Sequence, residues 1–167
     1  MIELYVLRHA VAESREAWAP KSERARPLTR KGEKQMYRVA EGMKNLDLSF
    51  DVIFSSPFVR AKRTAEIVAE VFRAEKKLKL TDSLKPGAHP KKFVEQARHL
   101  FGGSGRFILV GHEPFLSGLI SILSSGDARV GLKLKKGGLC RLELNTIQPG
   151  GALLHWLLTP DHLEKLS

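Results

Sequence analysis

Three short apolar runs constrain the fold of this chain more than any other feature of its sequence. They occupy residues 2–7, 51–54 and 106–110, and each ends at polar or turn-forming residues. Segments with apolar residues at helical spacing lie between and after them, over about 29–46, 58–73, 90–100 and from Phe115 onward. Short buried strands that alternate with amphipathic helices predict an α/β fold with a mostly parallel sheet.

The C-terminal third of the chain has a different pattern. Residues 138–144 and 152–158 form two mostly apolar runs, separated by a Pro-Gly-Gly turn at 149–151. This spacing predicts a hairpin that adds an antiparallel edge strand to the sheet, followed by a short helix over 160–166. Because no linker, repeat or low-complexity segment interrupts the chain, we expect residues 1–167 to form a single domain.

Composition excludes several classes of protein. The chain has 167 residues, 43% of them hydrophobic, which is enough to bury a core, but no apolar run approaches the length of a membrane span. Glu3 and Arg8 interrupt the first apolar run, so it does not resemble a signal peptide. The single cysteine, Cys140, excludes an internal disulfide framework and lies in a strand-like run, where we expect it to pack. These features predict a cytoplasmic protein without a membrane anchor.

The net charge of +10 is compatible with nucleic-acid binding. The basic residues are spread along the chain, however, and the short runs at 76–77, 91–92 and 133–136 are typical of a solvated surface. No zinc-finger, basic-zipper or stacking-aromatic pattern accompanies them. We therefore expect no nucleic-acid partner, and nucleic-acid binding stays a less favoured alternative. A basic surface would equally attract a phosphorylated or acidic partner.

Cationic and imidazole side chains follow three of the predicted strands. Arg8 and His9 end the first strand, Arg60 follows the Ser-Ser-Pro sequence that ends the second, and His112 follows the third. Ligands of α/β proteins bind outside the carboxyl ends of the strands. We therefore expect Arg8, His9, Arg60 and His112 to meet at one edge of the sheet.

This set of side chains suits phosphoryl transfer. The planar fork of an arginine binds two phosphate oxygens at once, and a neutral imidazole can attack phosphorus to form a phosphohistidine. Surrounding positive charge stabilises the transition state of that attack. The sequence contains no metal-binding pattern of histidines or carboxylates. We therefore predict chemistry without a metal or another cofactor.

Three motifs of the chain resemble those of the histidine phosphatase superfamily, the phosphoglycerate-mutase-like group. They are Leu-Arg-His-Ala at 7–10, Ser-Ser-Pro-Phe-x-Arg-Ala-x-x-Thr-Ala at 55–65 and Gly-His-Glu-Pro at 111–114. The resemblance implies a three-layer α/β/α sandwich around a mostly parallel sheet. It also implies that His9 is the phosphorylated nucleophile, that Arg8 and Arg60 bind phosphate, and that His112 completes the pocket.

Within the superfamily, the chain looks most like the small SixA-like protein phosphohistidine phosphatases. Its short length and the sequence Arg-Pro-Leu-Thr at 26–29 carry this resemblance. In that branch the arginine of the motif faces the phosphate, which implies a phosphate-binding role for Arg26. The alternative for Arg26 is that it anchors the loop.

One departure from the superfamily concerns the acid that protonates the leaving group. The segment 84–90, where many members carry this acid, has no carboxylate, and the candidate proton donors are Asp82 and Glu113. The imidazole that leaves phosphohistidine has a pKa near about 6.5 and needs little help, whereas an alkoxide needs far more. The missing acid therefore favours a phosphohistidine substrate over a sugar phosphate.

The sequence thus predicts a metal-independent phosphatase that hydrolyses a phosphate ester or phosphoramidate through a phosphohistidine intermediate. A protein phosphohistidine phosphatase with an open, shallow pocket is favoured. Its partner would be a phosphorylated protein such as a histidine-containing phosphotransfer domain. One alternative is a phosphatase that acts on a small phosphomonoester, and another is an inactive module that only binds phosphoproteins.

Overall fold

The computed structural model describes residues 1–18, 21–97 and 99–167. Within them, six strands form one sheet in the order β3-β2-β4-β1-β5-β6. The strands are β1 (Ile2–Arg8), β2 (Val52–Ser55), β3 (Leu78–Leu80), β4 (Gly105–Gly111), β5 (Leu139–Leu144) and β6 (Ala152–Leu158). The first four are parallel, while β5 runs antiparallel to both β1 and β6. The predicted C-terminal hairpin is therefore confirmed, with β6 at the edge.

The helices of the described residues, apart from α1, follow the predicted order. They are α1 (Arg15–Trp18), α2 (Arg30–Asn45), α3 (Val59–Phe72), α4 (Pro90–Ala97), α5 (Phe115–Ser125) and α6 (Pro160–Glu164). Helix α4 ends earlier than predicted, at Ala97, and residue 98 lies outside the described residues. The segment 10–27, which the sequence predicts as irregular, contains α1 and a 3₁₀ turn at Glu23–Ala25. Neither short element buries a residue, so neither leaves an apolar pattern in the sequence.

Two hydrophobic clusters lie on opposite faces of the sheet. Along β1, Leu4 and Val6 point into the cluster beneath α4 and α5, whereas Tyr5 and Leu7 point into the cluster beneath α2, α3 and α6. This alternation follows from the two-residue period of a strand. A central sheet with helices on both faces confirms the predicted three-layer α/β/α sandwich.

Cys140 is fully buried in the first cluster, and burial raises the pKa of its thiol to about 12, which confirms its packing role.

Parallel pairing brings three strand ends to the same edge of the sheet. The register places Arg8 beside Gly111, the His9 amide donates to the Gly111 carbonyl at 3.0 Å, and the Ser56 amide donates to the Val110 carbonyl at 3.0 Å. The residues that follow β1, β2 and β4 therefore lie side by side.

Helix α2 is anchored tightly to the segment that follows β1. The Thr29 hydroxyl accepts a hydrogen bond from the Gly32 amide, and the Thr29 amide donates to the Val11 carbonyl at 3.0 Å. A Cβ atom at Gly32 would lie 2.1 Å from that same carbonyl oxygen, so the approach requires glycine. This contact fixes the position of the loop that carries Arg26.

Across the described part of the chain, no helix has the length and apolar character that crossing a membrane requires.

Candidate active site

A cleft of about 370 Å³ opens at the carboxyl edge of the sheet. The structure brings together in it all five of the basic and imidazole residues predicted from the sequence. Its lining consists of Arg8, His9, Glu13, Ser14, Arg15, Glu16, Arg26, Arg60, Pro86, His112, Glu113 and Lys136. The N-terminal ends of α3 and α5 meet the same edge, where their dipoles favour an anion.

His9 is held as a neutral imidazole with one nitrogen free. Its Nδ1 lies 2.7 Å from the Ala10 carbonyl oxygen, and because a carbonyl only accepts, Nδ1 carries the proton. The lone pair of the neutral ring is therefore on Nε2. Burial lowers the pKa of His9 well below 6.5, and the neighbouring His112, Arg60 and Arg8 lower it further. The ring is thus neutral, with its single proton on Nδ1, and able to act as a nucleophile at neutral pH.

His112 lies beside His9, with 5.2 Å between the two ring centroids. Its Nε2 shares a 2.9 Å hydrogen bond with the hydroxyl of Ser56, a fully buried residue at the end of β2. Its Nδ1 is buried and has no hydrogen-bond partner within the described residues. Burial lowers the pKa of His112 to about 3, and Arg60 and Arg26 contribute to that shift. When the Ser56 hydroxyl donates to Nε2, Nδ1 carries the ring proton, and this N–H has no partner in the described residues and is free to donate to an oxyanion.

Arg26 and Arg60 are almost completely buried, with 7% and 3% of their surface exposed. Arg26 Nη1 donates to the Glu13 carbonyl at 2.6 Å, which ties this loop residue to the start of the cleft wall. Arg60 begins the first turn of α3 and stacks over the ring of Phe58, 5.4 Å from its centroid. Burial lowers the pKa of Arg60 from 12.5 to about 10, with a further contribution from Arg26. The guanidinium of Arg60 remains charged at neutral pH.

Arg8 and Lys136 complete the positive wall of the cleft. Arg8 Nη1 donates to the Leu134 carbonyl at 3.0 Å, and its Nε is buried without a hydrogen-bond partner in the described residues. Burial lowers the pKa of Lys136, and the charges of Arg8, Arg26 and Arg60 lower it further. The concentration of cations around two neutral imidazoles matches the charge of a phosphoryl group.

Comparison with known proteins identifies the family. The model of the histidine phosphatase superfamily (branch 1) matches residues 4–85. An uncharacterized protein of Picosynechococcus is 33% identical, and the match covers 85% of each chain. The chain belongs to the histidine phosphatase superfamily.

Solved structures show the same fold for this histidine phosphatase superfamily member. The protein histidine phosphatase SixA complexed with tungstate is 20% identical and superposes with a TM-score of 0.84, covering 96% of this chain and 99% of its own. A phosphoserine phosphatase of Entamoeba histolytica in complex with 3-phosphoglyceric acid is 18% identical, with a TM-score of 0.73 and coverage of 98% and 100%. A putative α-ribazole-5′-P phosphatase of Escherichia coli is 17% identical, with a TM-score of 0.70 and coverage of 96% and 98%.

The two candidate proton donors of this superfamily member lie in different surroundings. Glu113 lines the cleft; its Oε2 accepts a hydrogen bond from Ser117, and its Oε1 is buried without a hydrogen-bond partner in the described residues. Asp82 is not part of the cleft lining. Its side chain is 77% exposed and forms an ion pair with Lys85 at 2.8 Å. The structure therefore brings Glu113 to the cleft and leaves Asp82 outside it.

Three residues at the site were not singled out by the sequence. Ser56 belongs to the Ser-Ser-Pro motif, so its position at the strand end is the signal that points to it. Lys136 lies in a basic run that the sequence predicts as solvated surface. That prediction is incomplete, because the Lys136 side chain lines the cleft. Glu23 contacts both buried arginines, and its only sequence signal is the three-residue spacing to Arg26.

Proposed function

We propose that this phosphatase removes phosphate from a phosphohistidine side chain of a protein, with His9 as the phosphorylated nucleophile. The observation that carries the proposal is the state of His9. A proton fixed on Nδ1 by the Ala10 carbonyl and a lowered pKa together give a neutral ring whose lone pair is on Nε2. Phosphoryl transfer needs such a nucleophile inside a positive cleft.

In the first step, the Nε2 lone pair of His9 attacks the phosphorus of the substrate. The bond between phosphorus and Nε2 forms while the bond between phosphorus and the substrate nitrogen breaks. Arg8, Arg26 and Arg60 bind the phosphoryl oxygens, and the free Nδ1–H of His112 donates a further hydrogen bond to them. The leaving imidazole takes up one proton from water or from a cleft acid.

In the second step, water attacks phospho-His9. A bond between phosphorus and the water oxygen forms while the bond between phosphorus and Nε2 breaks. The protons of the water stay on the phosphate or pass to solvent, inorganic phosphate leaves, and His9 returns to its neutral form. The Ala10 segment stays fixed throughout, because the Ala10 amide donates to Thr64 Oγ1 at 3.0 Å and that hydroxyl donates to the Arg60 carbonyl at 2.7 Å. The nucleophile and one phosphate-binding arginine are therefore held together through the cycle.

The shape and charge of the cleft favour a protein substrate. Exposed side chains of Ser14, Arg15 and Glu16 form part of its lining, so in the described part of the chain the cleft opens at the protein surface. The net charge of +10 attracts an acidic phosphoprotein such as a histidine-containing phosphotransfer domain.

Trapping of the phosphoenzyme tests the proposal directly. A phosphotransfer protein labelled on its histidine is mixed with the wild type and with the His9→Ala variant, and acid-labile label on the enzyme is measured with release of phosphate. We expect both signals in the wild type and neither in His9→Ala. His155→Ala is the matched control, because His155 lies on β6 and pairs with Glu143 outside the cleft. Normal phosphate release by His9→Ala would contradict the mechanism.

Glu113 supports a second candidate function, hydrolysis of a small phosphomonoester. An alkoxide leaving group needs a proton, and Glu113 is a carboxyl side chain that lines the cleft and whose buried Oε1 has no hydrogen-bond partner in the described residues. Turnover of a phosphohistidine peptide and of a panel of sugar phosphates and phosphoserine separates the two functions. If the esters are the better substrates and Glu113→Gln abolishes only their hydrolysis, the second function replaces the first.

A further inference from the structure

Glu23 bridges the two buried arginines of the cleft from the 3₁₀ turn at Glu23–Ala25. Its Oε1 lies 2.7 Å from Arg26 Nη2 and 3.3 Å from Arg60 Nη2. Its Oε2 accepts from Arg26 Nε at 3.0 Å. Its backbone carbonyl accepts from Arg60 Nη1 at 3.0 Å. One residue thus contacts both guanidinium groups through its side chain and its main chain.

These contacts determine which donors of Arg26 remain for a ligand. Of its five N–H groups, Nε and one N–H of Nη2 are used by the Glu23 carboxylate, and one N–H of Nη1 is used by the Glu13 carbonyl. One N–H on each Nη remains. Because the guanidinium is planar, fixing three of its donors also fixes the direction of the other two.

The negative charge of Glu23 also stabilises the two neighbouring guanidinium groups. Arg26 and Arg60 are neighbouring buried cations, and Arg26 contributes to lowering the pKa of Arg60. In the described part of the chain, Glu23 is the carboxylate that forms ion pairs with both of them. Burial of a guanidinium without a counter-charge is costly, so Glu23 keeps the empty cleft stable.

We propose that Glu23 is a positioning residue, which orients Arg26 and Arg60 so that their remaining N–H donors meet the transferring phosphoryl group. The proposal rests on the proposed function of the cleft, and it assigns to Glu23 no contact with the substrate.

The charge of Glu23 leads to a particular kinetic signature. Glu23→Gln removes the orientation of two arginines, which weakens phosphate binding, but it also removes a negative charge that repels phosphate. The two effects oppose each other in the ground state, whereas the transition state depends on orientation more strongly. We expect kcat to fall about 10- to 100-fold while the Kd for inorganic phosphate changes by less than about threefold.

The experiment compares the wild type with Glu23→Gln, Glu23→Asp and Glu164→Gln. Glu164 is the matched control, because it also pairs with an arginine, Arg38 at 2.6 Å, but between α6 and α2 outside the cleft. We measure kcat, the Kd of inorganic phosphate, the thermal midpoint, and solvent exchange of the Arg26 Nε–H by NMR. We expect Glu23→Gln to lose the protected Nε–H signal and Glu164→Gln to keep it. Glu23→Asp, which retains the charge, should recover part of kcat.

The outcomes separate this inference from the proposed function. A kcat of Glu23→Gln within twofold of the wild type, or a protected Nε–H signal that persists without Glu23, overturns the inference. A thermal midpoint that falls in Glu23→Gln together with a lost phosphate affinity also overturns it, since that pattern describes a structural role. A wild type that hydrolyses no phosphohistidine protein overturns the proposed function alone. The Kd of inorganic phosphate and the exchange of the Arg26 Nε–H do not depend on that substrate, so they still test the positioning role of Glu23.

Discussion

Replacement of Arg60 by methionine should abolish most of the activity and at the same time make the protein more stable. Arg60 is 3% exposed, and its burial beside Arg26 lowers its pKa from 12.5 to about 10. A depressed pKa of a base means that the charged form is disfavoured in the folded state at every pH below about 10. A shift from 12.5 to about 10 corresponds to roughly 3 kcal/mol at about 1.4 kcal/mol per pKa unit.

The net effect on stability is smaller than that figure. Arg60→Met also removes the charged hydrogen bond from Nη1 to the Glu23 carbonyl, which contributes roughly 1.5 kcal/mol. Methionine fills a similar volume and keeps the contact with Phe58. We therefore expect the variant to be more stable by about 1–2 kcal/mol, which is about 2–8 °C in Tm for a protein of this size. The gain should shrink above pH 10, where arginine in the wild type can lose its proton.

The effect on catalysis follows from the hydrogen bonds that Arg60 would make to the transition state. Two charge-assisted bonds contribute about 1.5–3 kcal/mol each, so their loss lowers kcat/KM by about 10²- to 10⁴-fold. Arg60→Lys is the control, since it keeps the charge without the planar fork. Its kcat/KM should lie between those of the wild type and Arg60→Met. Thermal unfolding measures the stability of the variants, and phosphohistidine turnover measures their activity. A methionine variant that is less stable than the wild type would refute the reasoning, because Arg60 would then be primarily a structural residue.

Two further predictions concern the nucleophile and the anchor of helix α2. In the proposed mechanism the neutral form of His9 attacks, and its pKa is lowered well below 6.5, so the acid limb of the kcat/KM profile should lie below pH 6.5. A limb centred at or above that pH would contradict the proposed role of His9. Gly32→Ala places a Cβ 2.1 Å from the Val11 carbonyl and should destabilise the protein by about 2–3 kcal/mol in urea unfolding. Gly131→Ala, where no atom lies within 4 Å, should unfold like the wild type.

Much of the site follows from the sequence because parallel strands deliver their ends to one edge. Arg8 is the last residue of β1, His9 and His112 directly follow β1 and β4, and Arg60 is separated from β2 only by a tight turn. Their meeting therefore depends on strand pairing, which apolar runs predict well. The expected single domain and the chemical roles of these residues stay predictions.

The remaining contacts depend on loops, whose paths no periodic pattern specifies. Arg26 is predicted only through a family motif, and the bridging carboxylate of Glu23 depends on how the segment between β1 and α2 turns back over the cleft. Lys136 reaches the cleft from a turn before β5 that has no apolar pattern. Asp82 and Glu113 are equal candidates by composition, and only the three-dimensional arrangement separates them.

The fully buried Cys140 has a practical consequence for labelling experiments. It is the only cysteine of the chain, no part of it is exposed, and its pKa is raised to about 12, so a thiol reagent has little access to a reactive thiolate. A cysteine introduced at Ser14, on the exposed rim of the cleft, would then be the only residue that takes up a maleimide dye. A reporter at that position could follow the arrival and departure of a phosphorylated substrate in real time without any change to the native cysteine.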